Sequence, residues 1–316
     1  MIAVLTGGTG GAKFVDGLRR VVSPDQLTVI VNTGDDFTWW GLHISPDIDS
    51  ITYVLAGVLS NDRGWGFEGD TFECLARMRA MGQPAWFQIG DRDLATHLLR
   101  TQLLQSGKTL SEATFEVTRS HGLKERVLPM TDSPVATQVE IAEGEISFQE
   151  YFVRRRFKDE VRRVRFAGAE SAGPAPGVEE AILSADAVLL APSNPITSIG
   201  PMLAVRGIRE ALRKTPAPLA AVSPIVGSAA VSGPAGALMA AHGLPVSIAG
   251  VARAYEDFLD VLIADSRDED EAEALRKTGL QVHTGNTIMK SEEDRIQLAH
   301  EVMSAVQKLR QAEIAS

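Results

Sequence analysis

The chain has 316 residues, 44% hydrophobic and 23% charged, with a formal net charge of −10. This balance suits an α/β protein with a sizeable core and argues against a nucleic-acid partner. A single cysteine, Cys74, excludes an intramolecular disulfide and fits a reducing, cytoplasmic setting. No apolar run approaches the ~20 residues of a membrane span, and the N-terminal apolar run lacks the basic flank of a signal peptide.

Residues 2–5 read as a short strand. Gly7, Gly8, Thr9, Gly10 and Gly11 follow at once, and a helical pattern starts near Ala12 and runs to about residue 22. Strand, glycine loop and helix in that order form a cradle for an anion, because loop amides and the helix N-terminus both present N–H groups. The alternative is a tight turn with no ligand. Lys13 neutralises a phosphate or is an ordinary solvated lysine. The β-branched run 27–31 is a buried parallel strand. It closes a βαβ unit whose two strands end at one edge of the sheet.

The stretch 32–50 starts at that edge and carries Asp35, Asp36, Asp47 and Asp49. Read as an extended segment, S-P-D-I-D-S puts Asp47 and Asp49 on the same side. Two such carboxylates beside a phosphate call for Mg2+; the plainer account is a helix cap. Helices are expected over 50–59 and 70–81, the second with Asp70 as its N-cap. A strand over 86–89 leads into Gly90-Asp91-Arg92-Asp93 and a helix over 94–105. There Asp93 is a candidate cap, and Arg92 either pairs with a carboxylate or grips a phosphate. His97 reads as a core histidine. A further helix is expected over 111–119, with a weak cap signal at Ser111 and Thr114.

Strands over 126–129, 135–141 and 145–148 follow, the last two joined by a turn at Glu143-Gly144. The basic run 154–165 reads as a solvated strand face. The Pro/Gly loop 173–177 is the best internal break. The α/β rhythm then resumes with a helix over 178–183, a strand over 187–190, a helix over 202–213, a strand over 219–222 and a final helix over 291–311. Ser193-Asn194-Pro195 follows a buried strand, as a binding loop or a Pro-bounded turn. The six histidines show no metal-ligand spacing and there is no C-x-x-C, so any metal is expected to be a hard ion held by carboxylates and phosphates. The glycine stretch is not a P-loop. It fits the dinucleotide fingerprint only in part: Gly8-x-Gly10 is present, but Lys13 stands where the third glycine belongs, and Asn32 and Thr33, not an acid, end the second strand, which disfavours a nicotinamide cofactor.

The stretches T-G-G-T-G-G-A-K (6–13), V-N-T-G-D-D (31–36), S-P-D-I-D-S (45–50), G-D-R-D-L-A-T-H (90–97), A-P-S-N-P-I-T-S-I-G-P (191–201), V-S-P-I-V-G (222–227) and V-S-G-P-A-G (231–236) together resemble the 2-phospho-L-lactate transferase family of coenzyme F420 biosynthesis. The resemblance implies one Rossmann-like α/β domain over 1–316, with a mostly parallel sheet flanked by helices and an inserted helical and β subregion over about 50–170. It implies a homodimer that requires Mg2+. The implied reaction is attack by the ribityl hydroxyl of the deazaflavin Fo on the distal phosphate of a guanosine-diphospho-linked three-carbon acid, with GMP leaving and F420-0 or an analogue forming. Residues 10–13 lie between the archaeal and actinobacterial forms, so phospholactate, phosphoenolpyruvate and phosphoglycerate all stay open as the transferred group.

By position in these stretches, Gly7, Gly8, Thr9, Gly10, Gly11 and Lys13 would hold the diphosphate, with Ser193 and Asn194 on the nucleotide side. Asp49, helped by Asp47 or Asp36, would bind Mg2+ beside the acceptor, and Arg92 would contact the deazaflavin or the transferred phosphate. Asp49 would also be the first choice of base, so Asp49→Asn is expected to lose turnover far more than stability. Trp39 and Trp40 would stack on the deazaflavin or anchor their loop. Two other functions compete: a nucleotide-sugar-binding regulator without turnover, and an NAD-dependent dehydrogenase.

Overall fold

A computed structural model describes residues 1–315. Seven parallel strands form the central sheet. From one edge to the other they are Gln281–Gly285, Val261–Asp265, Leu219–Val222, Ala187–Leu190, Ile2–Thr6, Leu27–Val31 and Arg126–Pro129. Period-two alternation divides these strands between two cores. Ala3, Leu5, Ile30, Leu190 and Leu262 face one core, while Val4, Val29, Leu189 and Ile263 face the other. Both faces are covered by helices, so the strands read as continuous apolar runs. The chain builds outward from Ile2–Thr6 to Arg126–Pro129, then returns to the other side of the first strand at Ala187–Leu190. That reversal is a topological switch point, and it opens a crevice at the strand C-termini. No helix among the described residues is long and apolar enough to cross a membrane.

Local structure departs from the sequence expectations where side chains cap or pair at a distance. The first helix spans Gly8–Leu18, starting four residues earlier than expected, so the glycines form its first turn rather than a separate loop. The second helix spans Pro46–Leu55 with proline in the first turn, where a missing N–H costs nothing. Asp47 and Asp49 are therefore helical and point in different directions. The expected same-side placement fails because residues two apart on a helix do not share a face.

The helix Glu73–Ala80 begins after Asp70, which is not its cap. Instead Asp70 accepts from the amides of Arg92 (2.9 Å) and Asp93 (3.2 Å) at the start of the helix Asp91–Gln105. Asp91 in turn accepts from the amides of Glu73 (3.0 Å) and Cys74 (3.0 Å). Each aspartate thus satisfies orphan donors of the other's helix.

Residues 86–89 form no strand. Trp86, Phe87 and Ile89 join Phe37, Trp39 and Trp40 in an aromatic cluster, which also includes the hairpin strands Phe37–Trp39 and Leu42–Ile44. The helix Leu110–Ser120 is capped by Thr109 and Glu112 in a reciprocal capping box, not by Ser111. The helix expected over 202–213 is split into Gly200–Ala204 and Ile208–Lys214 by Gly207, whose φ is 105°. A separate antiparallel sheet is built from Gly144–Ser147, Ala136–Ile141 and Arg163–Ala167. Only the end of the basic run lies in it. Arg155 pairs with Glu143 (2.9 Å) and Arg165 with Glu145 (2.6 Å), so the run is charge-balanced locally.

The first helix packs on the final helix, Glu292–Ala315, at Gly17. A Cβ there would lie 2.6 Å from the Arg295 carbonyl carbon. Alanine gains about 1 kcal/mol of helix propensity, but backbone cannot yield as a side-chain tip does, and overpacking costs typically 1–3 kcal/mol or more. Gly17→Ala is expected to lower stability by about 1–2 kcal/mol net in urea unfolding. Unchanged or raised stability would show that the helices slide apart without cost.

Candidate active site

At the crevice three segments meet. Gly7 N–H donates to Ser193 Oγ (3.2 Å), and the Ser193 hydroxyl donates back to the Gly7 carbonyl (2.7 Å). Gly8 N–H donates to Asp47 Oδ1 (2.8 Å), and Asn32 Nδ2 donates to Asp47 Oδ2 (3.0 Å). A Cβ on Gly10 would lie 2.6 Å from the Pro192 carbonyl oxygen, and one on Gly11 would lie 2.6 Å from Ser193 Oγ. The glycines therefore serve close packing of strand, helix and return loop as well as ligand approach. In the same first turn, the amides of Thr9 and Gly10 have no intrahelical acceptor. Lys13 is exposed one turn on. Asn194 braces its own turn, its Oδ1 accepting from the amides of Ile196 (2.9 Å) and Thr197 (3.4 Å).

Negative charge collects beside this turn. Burial and the neighbouring Asp47 charge hold the Asp35 carboxyl well above the usual range. Burial also raises Asp36, against the opposing effect of His43 (3.0 Å) and Ser45 (2.7 Å). Asp47 is pushed up to about 6 by burial and by the charges of Asp36 and Asp49, which outweigh its bonds from Asn32 and Gly8. One oxygen each of Asp35 and Asp36 is buried with no hydrogen-bond partner. Such orphaned, mutually repelling carboxylates are the donor set a hard divalent cation requires.

Asp49 faces elsewhere. Both its oxygens accept from Arg100, which is 0% exposed: Nη1 at 3.1 Å, and Nη2 in a second, closer bond. His97 lies between Asp49 (Nδ1, 3.5 Å) and Asp93 (Nε2, 3.3 Å), and Asp93 accepts from the Tyr53 hydroxyl (2.7 Å). Burial and the two aspartates keep that phenol protonated far above its ordinary range. Asp49, Asp93 and His97 place ligand atoms within 4.8 Å of one another, a geometry able to hold a metal ion. Here, however, the carboxylates already have partners of opposite charge or hydrogen-bond donors. In the acidic group of Asp35, Asp36 and Asp47 no arginine pairs with a carboxylate among the described residues, one oxygen each of Asp35 and Asp36 has no partner, and burial outweighs the bonds from His43, Ser45, Asn32 and Gly8, so the hard-ion fit is better there. It does not gather three ligand atoms as closely as the triad, but Mg2+ needs only one or two carboxylates when phosphates and water complete its shell.

The structure thus brings together Gly7, Gly8, Thr9, Gly10, Gly11, Ser193, Asp47 and Asp36, and turns Asp49 into a neighbouring buried network. Arg92 is exposed, its Nη1 donating to the Glu68 carbonyl (3.2 Å). Trp39 and Trp40 stack on one another with centroids 5.7 Å apart, and Trp40 Nε1 donates to the Pro84 carbonyl (2.9 Å). Arg100 and Tyr53 escaped the sequence reading. The signal was a polar stripe at helical spacing, Asp93, Thr96, His97, Arg100 and Thr101, which is buried while Leu98 is 52% exposed. That is amphipathicity reversed, and it marks a buried polar site rather than a surface.

Comparison with known proteins agrees with this architecture. The family profile of 2-phospho-L-lactate transferase CofD matches residues 2–307. The 2-phospho-L-lactate transferase of Methanosarcina mazei is 41% identical over 302 residues, covering 96% of this chain and 99% of its own. That of Methanococcoides burtonii is 44% identical over 301 residues, covering 95% and 98%. The phosphoenolpyruvate transferase of Streptomyces coelicolor is 41% identical over 317 residues, covering 98% and 99%. Among solved structures, a UPF0052 family protein from Bacillus halodurans superposes with a TM-score of 0.63 over 96% of this chain and 98% of its own, at 15% identity, and supports the fold.

Two outcomes are expected. A carboxyl whose folded pKa is raised binds its proton more tightly folded than unfolded, so its contribution to stability falls as pH rises through about 4 to about 6. The metal-free protein should melt lower at pH 7.5 than at pH 5.5. Mg2+ should raise the melting temperature more at pH 7.5, and Asp47→Asn should flatten both effects; an Asp47→Asn profile parallel to wild type would remove this carboxylate from the cluster. Second, Asp49→Asn strands a buried guanidinium and should cost about 3–5 kcal/mol in urea unfolding, with Asp49→Leu/Arg100→Met recovering most of it. The expectation that Asp49→Asn loses turnover far more than stability thus gains a sizeable stability cost. A cost below about 1 kcal/mol, the range of an exposed pair, would show that the pair is not desolvated.

Proposed function

The chain belongs to the 2-phospho-L-lactate transferase family of F420 biosynthesis, and on that premise we propose that it moves a phospholactyl-type group from a guanosine-diphospho donor to the deazaflavin Fo. The observation that carries this reading is the meeting, at the switch point, of a helix N-terminus with buried carboxylates whose proton affinity is raised. An anion and a cation are both invited to one place, as phosphoryl transfer requires.

In this reading the Thr9 and Gly10 amides orient the diphosphate, and Ser193 fixes the position of Gly7 beneath it. The ribityl oxygen forms a bond to the distal phosphorus, the bond from that phosphorus to the GMP oxygen breaks, and GMP leaves. The hydroxyl proton passes to the Asp47 carboxylate, which lies against the first turn of the glycine helix. Asp47 and Asp36, with Asp35 behind them, would hold Mg2+, which when bound neutralises charge on the bridging and transferred phosphate oxygens. Asp49, on the same helix as Asp47, supports this arrangement through its pairing with Arg100. Arg92, exposed at the head of the helix that carries His97 and Arg100, is assigned to the acceptor side. The resemblance also supports a cytoplasmic homodimer.

The test is turnover with Mg2+, Fo and each of the lactyl, enolpyruvyl and glyceryl guanosine-diphospho donors, followed by mass spectrometry. One donor is expected to yield GMP and F420-0 or its analogue in equal amounts. No GMP with any of the three would overturn the reading.

A further inference from the structure

The return loop after Ala187–Leu190 offers Ser193, Asn194 and Ser198 to the crevice, and the structure divides their work. Ser193 Oγ is occupied in both directions by the Gly7 backbone. Asn194 Oδ1 is taken by the amides of Ile196 and Thr197, and the Asn194 carbonyl accepts from the amides of Ser198 (3.1 Å) and Ile199 (3.0 Å). The two residues that the sequence favours as ligand groups are thus consumed in building the loop. Ser198 is the residue that this turn holds in place. It is only 6% exposed, yet its hydroxyl makes no hydrogen bond among the described residues. A serine hydroxyl carries one donor and two acceptor sites, and leaving them idle in the interior costs stability.

The surroundings of that hydroxyl point to an anion. An ideal Cβ on Gly8 would lie 3.6 Å from Ser198 Oγ. Apart from the chain neighbours and the helix itself, no other heavy atom of the described residues comes within 4 Å of that point. The space over Gly8 is therefore open, and Ser198 Oγ borders it. Gly8 opens the 11-residue helix Gly8–Leu18, so this space lies at a helix N-terminus, where negative charge is favoured. The matching point on Gly7 would lie 2.7 Å from Asp47 Oδ2 and 3.0 Å from Ser198 Cβ. Ser198 and Asp47 thus both border the glycine turn. Thr6 Oγ1 is also buried without a partner, but it is packed against Gly11 together with Ser193 Oγ.

We propose that Ser198 is a phosphate-binding residue, its hydroxyl donating to a non-bridging oxygen of the diphosphate seated on the glycine turn, at the phosphate beside Asp47. The proposal rests on the transferase reading above and adds the side chain that orients the phosphorus under attack. The bond is charge-assisted, and it supplies the partner that the hydroxyl lacks within the protein.

Calorimetric titration of the full chain with inorganic pyrophosphate and with GDP, both in Mg2+, tests it, together with melting of the ligand-free protein. Ser198→Ala should weaken pyrophosphate by about 10-fold or more and GDP by the same factor. Its ligand-free melting temperature should stay within about 1 °C of wild type, because no bond within the protein is lost. Ser193→Ala should instead lower the melting temperature by about 2–4 °C, because both bonds to Gly7 go. Unchanged affinities in Ser198→Ala, a loss seen with only one of the two ligands, or a melting temperature that falls as in Ser193→Ala would each overturn the Ser198 assignment and leave the transferase reading standing. A wild type that binds neither pyrophosphate nor GDP would overturn the anion site itself, and both readings with it.

Discussion

Everything at the functional edge depends on how closely three pieces of chain pass one another. The first strand ends at Thr6, the first helix begins two residues later, and the loop after Ala187–Leu190 crosses beneath with Ser193 bonded to Gly7 both ways. Side chains at Gly10 or Gly11 would drive these pieces apart. Because they are not driven apart, helix amides face the switch point directly and Asp47 reaches one of them from the neighbouring helix. The proposed anion site is thus a by-product of tight α/β packing placed where the topology opens the sheet.

Two charge ensembles lie side by side behind that turn, and they differ in how they are balanced. In one, Asp49, Arg100, His97, Asp93 and Tyr53 pair with each other away from solvent, with only Arg100 Nε and His97 Nε2 lacking a hydrogen bond. Such a network contributes to a unique arrangement more than to net stability. In the other, Asp35, Asp36 and Asp47 stay under-compensated, all with raised proton affinity and the first two with an unpartnered oxygen each. Neighbouring aspartates of one helix belong to different ensembles: Asp47 to the uncompensated one, Asp49 to the balanced one. Helical geometry alone makes that division.

Much of the fold was legible because its signals are local. The runs 27–31, 187–190 and 219–222 coincide with strands to the residue, since a doubly covered parallel strand is written as a nearly unbroken apolar segment, and 126–129 does so at the sheet edge from its alternation. The glycine turn and Asp47 were legible as site candidates from glycine density and acidic spacing. What escaped depends on partners far away in sequence. Arg100 is 51 residues from Asp49, and no window of sequence shows that they meet. Asp70 reads as the cap of its own helix because capping is normally local, whereas here the cap is supplied across 22 residues. The aromatic run at 86–89 has strand composition but no strand partner, and it packs instead on Trp39 and Trp40.

The crossed caps at Asp70 and Asp91 carry a dynamic consequence. Neither the helix Glu73–Ala80 nor the helix Asp91–Gln105 can unwind its first turn without unfastening the other's, because each aspartate sits beside the helix it does not cap. The segment between them is knotted by four amide bonds into a single cooperative block, which opens whole or stays closed. Arg100 and His97 ride on that block, so the rigidity of the buried network is set by a surface latch some two turns away along the helix.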